Sequence, residues 1–159
     1  MNDYISIAII FYFSIVLHEL IHFISYRICG LEIKRFYVFP LDFMFNKSTK
    51  VTFVFEKKYV GLVLPQKNFE CTQKQLREKT IIALAAPVVA HVFFSVCGVI
   101  AYFLSDMDIF LNVSMVNILC FLSTFICNEN VLGDSIALYH ILTCDDLSNK
   151  IINGIYDRI

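Results

Sequence analysis

Three long apolar stretches constrain this chain more than any other feature of its sequence. The first runs from about Tyr4 to Cys29 and the second from about Thr80 to Leu104. The third runs from Ile109 to Cys127, with an apolar continuation from Val131 to Leu142. A helix needs about 20 mostly apolar residues to cross the hydrocarbon core of a bilayer. The first two stretches each predict one spanning helix, and the third with its continuation is too long for one straight crossing. The polar cluster Cys127-Asn128-Glu129-Asn130 and the following Gly133 predict a break near 128–134. Unwound backbone at membrane depth is tolerated only inside protein or beside water, so the break itself marks a place to look for a site. Composition agrees: 58% of residues are hydrophobic and 17% charged, where a soluble domain has about 45–50% and about 25%. The net charge of -1 gives no footprint for a nucleic acid.

The segment between the first two stretches, Gly30 to Lys79, is polar and basic. It holds Lys34, Arg35, Lys47, Lys50, Lys57, Lys58, Lys67, Lys74, Arg77 and Lys79, ten of the 13 basic residues. The positive-inside rule puts such a loop in the cytoplasm. The N-terminus and the turn Ser105-Asp106-Met107-Asp108 are then outside, and the tail with Lys150 and Arg158 returns inside. Within the loop, Lys50 to Leu64 alternates and is rich in Val, Phe and Tyr. The turn Asn46-Lys47-Ser48-Thr49 precedes it, and Phe36 to Phe45 offers a partner strand. This predicts a small β-hairpin or meander. Gln73 to Lys79 predicts a short polar helix leading into the second span, with Thr72 as N-cap. The expected fold is mainly α: one membrane-embedded domain over 1–159, with three core transmembrane helices (about 4–29, 80–104 and 109–142) and a cytoplasmic loop, 30–79, carrying the hairpin. The N-terminal stretch lacks a basic leader and a small-residue cleavage site, so it is expected to be retained. The six cysteines form no C-x-x-C pair and read as apolar fillers.

The residues that carry chemistry are His18-Glu19-Leu20-Ile21-His22. Positions i and i+4 of a helix share one face, so His18 and His22 can offer imidazole nitrogens to one zinc ion. Glu19 is placed beside them as a general base toward a water activated by the metal. Ionisable side chains inside a membrane span are costly and mark function. A chance H-E-x-x-H on a solvated helix is the plainer reading, and three ionisable residues within five positions of a span weigh against it. Catalytic zinc takes three protein ligands and keeps a fourth position open. The candidates for the third ligand are Asp134, Glu129, His91 and His140. Asp134 follows Gly133 just past the break and competes with a role as N-cap of a Ser135–Leu142 helix. Glu129 reads also as a water-facing loop residue, His91 as a polar residue packed between helices, and His140 as interfacial.

Together these residues resemble the site-2 protease family of intramembrane zinc metallopeptidases. Three features match in order. They are the H-E-x-x-H motif in a span; an A-G-P-like motif opening a helix after a basic, strand-containing loop, here Ala85-Ala86-Pro87; and an aspartate motif, here Asn128-Glu129-Asn130-Val131-Leu132-Gly133-Asp134-Ser135. The resemblance covers nearly the whole chain. It implies zinc as cofactor, His18, His22 and Asp134 as its ligands, Glu19 as catalytic base, and membrane protein or peptide substrates. It also implies an integral membrane protein; the topology above puts the site toward the cytoplasm, and a compact core rich in Ile, Phe, Lys and Asn fits a bacterial cell membrane. The chain departs from the family pattern at Ala86, where glycine is usual, and at Ala90 and His91, where an asparagine is expected. The aspartate motif lacks its proline, and Ser135 replaces its glycine. These departures point to a divergent branch. They also motivate one alternative, a non-catalytic zinc-binding membrane protein serving as accessory or immunity factor for peptide export, which the intact Glu19 argues against. A soluble zinc peptidase with Glu129 as third ligand is the other alternative, opposed by the long apolar stretches.

Overall fold

The computed structural model describes residues 3–45, 49–55, 61–66, 71–126 and 133–156. The chain is mainly helical with one small antiparallel sheet. Helix α1 (Asp3–Ile28) leads into strands β1 (Ile33–Val38), β2 (Leu41–Phe45), β3 (Thr49–Phe53) and β4 (Gly61–Pro65). Helices α2 (Gln73–Ser105), α3 (Asp108–Ser123), α4 (Asp134–Thr143) and α5 (Asp145–Tyr156) follow.

Helices α1 and α2 are long and apolar enough to cross a membrane. At 26 and 33 residues they extend about 39 and 50 Å. Their outward surfaces are apolar, with Phe13 at 63% exposure and Phe103 at 80%. Their buried residues include many small or polar ones, Ser14, His22 and Ser25 on α1 and Thr80, Ala83, His91, Ser95 and Gly98 on α2, beside larger Tyr26, Leu76 and Leu84. Small and polar residues between helices with an apolar exterior are the packing pattern of membrane helices. At Gly98 a Cβ would lie 2.8 Å from the Phe110 carbonyl oxygen and 3.0 Å from the Ser114 side chain. The α2–α3 approach therefore depends on a missing side chain. Gly98→Ala is expected to cost about 1–3 kcal/mol by overpacking, read as a lower thermal midpoint in detergent. An unchanged midpoint would mean that the two helices can separate freely.

The sequence predicts a short helix before the second span, and the structure has one continuous helix. Thr72 caps it: its hydroxyl accepts from the Gln75 backbone N–H, and the Gln75 side chain accepts from the Thr72 N–H. This capping box satisfies two orphan donors at the helix start. Pro87 consequently lies well inside α2 and does not open a helix. The third apolar stretch also differs from expectation. Helix α3 has 16 residues, about 24 Å, short of a full hydrocarbon core of about 30 Å. It stops because Thr124, Phe125 and Ile126 donate their N–H groups three residues back, to Phe121, Leu122 and Ser123. That tight turn is invisible to an apolar count. The expected break lies partly at 127–132, outside the described residues, and the helix beyond it is α4.

The expected hairpin is four strands in the order β3-β2-β1-β4. Phe36–Phe45, read as one strand, is β1 turning into β2 at Phe39-Pro40. Lys50–Leu64, read as its partner, splits into β3 and β4 at opposite edges of the sheet. Buried Asp42 on β2 receives the Arg35 guanidinium from β1, with Nε at 2.8 Å from Oδ1 and Nη2 on Oδ2. The hydrogen bond to Asp42 raises the Arg35 pKa further.

Helix α5 has no counterpart in the sequence reading. It buries Ser148, Ile152 and Tyr156, one face at i, i+4 and i+8. Arg77 of α2 bonds Asp145 at 2.6 Å and the Ile141 carbonyl at 2.6 Å, tying the α4–α5 turn down. Tyr156 meets the Thr80 hydroxyl at 3.2 Å. Leu31, Ile33, Leu76, Leu84, Ile141 and Ile152 belong to the core where α1, the sheet and the C-terminal helices join.

Candidate metal centre

His18 and His22 share one face of α1, their rings edge to face with centroids 4.8 Å apart. What aims each ring is the partner of its outer nitrogen. For His22 that partner follows from Pro87. Proline has no N–H, so the carbonyl four residues earlier, Ala83, has no intrahelical donor. Ala83 is fully buried, and a buried carbonyl needs a partner. His22 Nδ1 lies 2.8 Å from it. A carbonyl only accepts, so Nδ1 carries the hydrogen, and in the neutral ring Nε2 keeps its lone pair.

That lone pair faces Asp134. The aspartate opens α4, whose N-terminal dipole favours a carboxylate. The start of α4 is pinned to the end of α3. The Gly133 N–H donates to the Ile126 carbonyl at 2.9 Å, and the Ser135 N–H to that of Thr124 at 3.2 Å. The hydroxyls of Thr124 and Ser135 bond at 2.6 Å. Asp134 Oδ2 thereby sits 2.9 Å from His18 Nε2 and 3.1 Å from His22 Nε2.

Two imidazole nitrogens this close to one carboxylate oxygen are held together by a shared proton or by a metal ion. Zinc bonds nitrogen at about 2.0–2.1 Å and oxygen at about 2.0–2.2 Å, which places tetrahedral ligand atoms about 3.3 Å apart. The two observed distances fall a few tenths short of that, and all three donor atoms lie within 4.8 Å of one another. The residues present therefore fit zinc, with two imidazoles, one carboxylate and room for a fourth ligand.

The cluster forms one wall of a cavity of about 460 Å3, the size of a small-ligand site. Glu19 lines it beside the histidines. Gly61 to Leu64 of β4 also line it, as do Lys150, Ile151, Gly154 and Ile155 of α5. Strand β4 pairs only with β1 among the described residues, so its other edge carries no strand. At Gly61 it presses directly on Glu19. A Cβ there would overlap the carboxylate and come within 2.5 Å of Cγ and 2.6 Å of Cδ.

Of the other candidates for third ligand, Glu129 lies outside the described residues. His140 is on α4 and lines neither the cavity nor the cluster. His91 is buried behind His18, its Nε2 at 2.9 Å from His18 Nδ1, on the side away from Asp134. Sequence reasoning missed Gly61 and Asn117. An amide within an apolar stretch is a signal for Asn117, shared with Asn112 in the same run. Nothing local signals Gly61, because its contact with Glu19 depends on strand register.

Fold and site together define a helical protein with a zinc-type site built between apolar helices. The chain belongs to peptidase family M50, the site-2 protease family, whose model matches residues 6–155. Members are membrane-embedded metallopeptidases that use zinc. Neither a curated protein nor a solved structure matches the chain.

Proposed function

We propose that this chain is an intramembrane zinc endopeptidase that hydrolyses peptide bonds of membrane-associated proteins or peptides. One observation carries the reading: two imidazole nitrogens and the Asp134 carboxylate converge beside Glu19, in a cavity walled by an edge strand. His18, His22 and Asp134 hold zinc. Bound there, zinc polarises water and the scissile carbonyl and lowers the water's pKa to about 7. Glu19 takes the proton from the attacking water and passes it to the leaving amine as the C–N bond breaks. A scissile carbonyl within a helix is already hydrogen-bonded, so the substrate must be extended. The free edge of β4 suits an extended peptide by β-augmentation; a purely structural edge is the plainer role for it.

In this reading three crossings form the membrane part. Helix α1 runs inward, α2 runs outward, and α3 with the chain beyond it returns. The basic sheet region, α4 and α5 face the cytoplasm, and water reaches the site from that side. The intact Glu19 favours catalysis over an accessory or immunity role, since metal binding alone needs no base.

The test is zinc content in detergent for wild type, Asp134→Ala and Glu129→Ala. About one zinc per chain is expected in wild type, lost in Asp134→Ala and kept in Glu129→Ala. Wild type without zinc after careful loading overturns the reading. Loss in Glu129→Ala instead moves the third ligand to the segment before α4.

A further inference from the structure

We propose that His91 and Asn117 form a directed hydrogen-bond relay that fixes His18 in the tautomer able to bind metal. The inference rests on the zinc reading above and adds two positioning residues to it.

The direction of the relay is set at its far end by a backbone carbonyl. Asn117 Nδ2 lies 2.9 Å from the Val113 carbonyl oxygen. A carbonyl only accepts, so the amide nitrogen faces Val113 and Oδ1 faces α2. His91 Nδ1 lies 2.9 Å from that Oδ1, which also only accepts, so Nδ1 carries hydrogen. A neutral imidazole with hydrogen on Nδ1 has a lone pair on Nε2. His18 Nδ1 lies 2.9 Å from that lone pair and must donate to it. In the neutral ring that binds metal, His18 Nε2 is then left with its own lone pair, the one facing Asp134. Each step follows from the one before, and the sequence runs from α3 through α2 to the metal face of α1.

Burial makes the arrangement matter. His91 and Asn117 are each 4% exposed, so water has little access to replace a lost partner. Both nitrogens of His91 are committed, which excludes it as a zinc ligand in this arrangement and leaves the fourth position open. The partner is also matched to its task. Pro87 leaves the Ala83 carbonyl to His22, and for His18 a side-chain acceptor, His91, takes the corresponding place. Outer partners of metal-bound histidines hold ring orientation and tautomer, and losing one typically costs 10–100-fold in metal affinity.

The experiment measures zinc affinity in detergent by competition with a chromophoric chelator, alongside the thermal midpoint of metal-free protein. His91→Leu removes the acceptor. His91→Gln keeps the order, since its Oε1 can accept from His18 and its amide can donate to Asn117. Asn117→Leu cuts the relay one step further out. The expected result is affinity about 10–100-fold weaker for His91→Leu, recovered to within about threefold by His91→Gln, and several-fold weaker for Asn117→Leu. Wild-type affinity in His91→Leu, or equal losses for Leu and Gln, overturns the relay while leaving the zinc site standing. If His91→Leu does not fold, Asn117→Leu decides, and an unchanged affinity there overturns it. Wild type without zinc overturns the site and the relay together.

Discussion

Glu19→Gln is expected to abolish peptide cleavage while the protein keeps its zinc. The substitution exchanges one carboxylate oxygen for an amide nitrogen at nearly constant shape. The packing against Gly61 and the positions of His18 and His22 are therefore preserved. What disappears is the capacity to take a proton from water and return it to the leaving amine. General acid–base catalysis contributes about 10²–10⁴-fold, and here one side chain serves both steps. The measurement pairs cleavage of a membrane-anchored reporter that wild type processes with zinc content of the same preparations. Full activity in the variant would remove Glu19 from the mechanism. Loss of zinc together with activity would make it part of the metal site.

Gly61→Ala should slow the same reaction by about 100-fold, again with zinc retained. The glycine lies on β4, far from α1 in sequence, yet a single methyl group there would occupy the space of the Glu19 side chain. Glu19 would have to swing off its position beside the histidines. Misplacing a catalytic group by about 1 Å can cost about 10²-fold. The loss should appear in kcat rather than KM, because the free edge of β4 is unchanged for an incoming peptide. A variant as fast as wild type would show that Glu19 has room to relax. A variant that also loses zinc would show that the strain passes through α1 to His18.

These two positions illustrate what could be read along the chain and what could not. Glu19 and the histidine pair are legible because their relation is local: i to i+4 on one helix turn is a property of the helix itself. Thr72 as N-cap and the apolar stretches within α1 and α2 are legible for the same reason. Helix α5 was equally local, with its buried face at Ser148, Ile152 and Tyr156, and went unread because its surroundings are polar. The end of α3 at Ser123 was misjudged because hydropathy measures solubility in lipid and says nothing of the tight turn that follows.

What brings Asp134 to the histidines is of another kind. The relation spans 112 residues from His22 and is held by backbone bonds between the end of α3 and the start of α4. The sheet order that carries Gly61 to Glu19 depends on pairing between separated strands, which alternation along one strand cannot specify. The outer partners of the histidines, the Ala83 carbonyl and His91, come from a different helix and depend on how α2 packs against α1. Local periodicity thus dictated the helices, the histidine pair and the adjacent base. The acidic third ligand, the glycine that seats the base and the bonds that orient both imidazoles arise only when distant segments pack, because each is a contact between elements rather than a property of one.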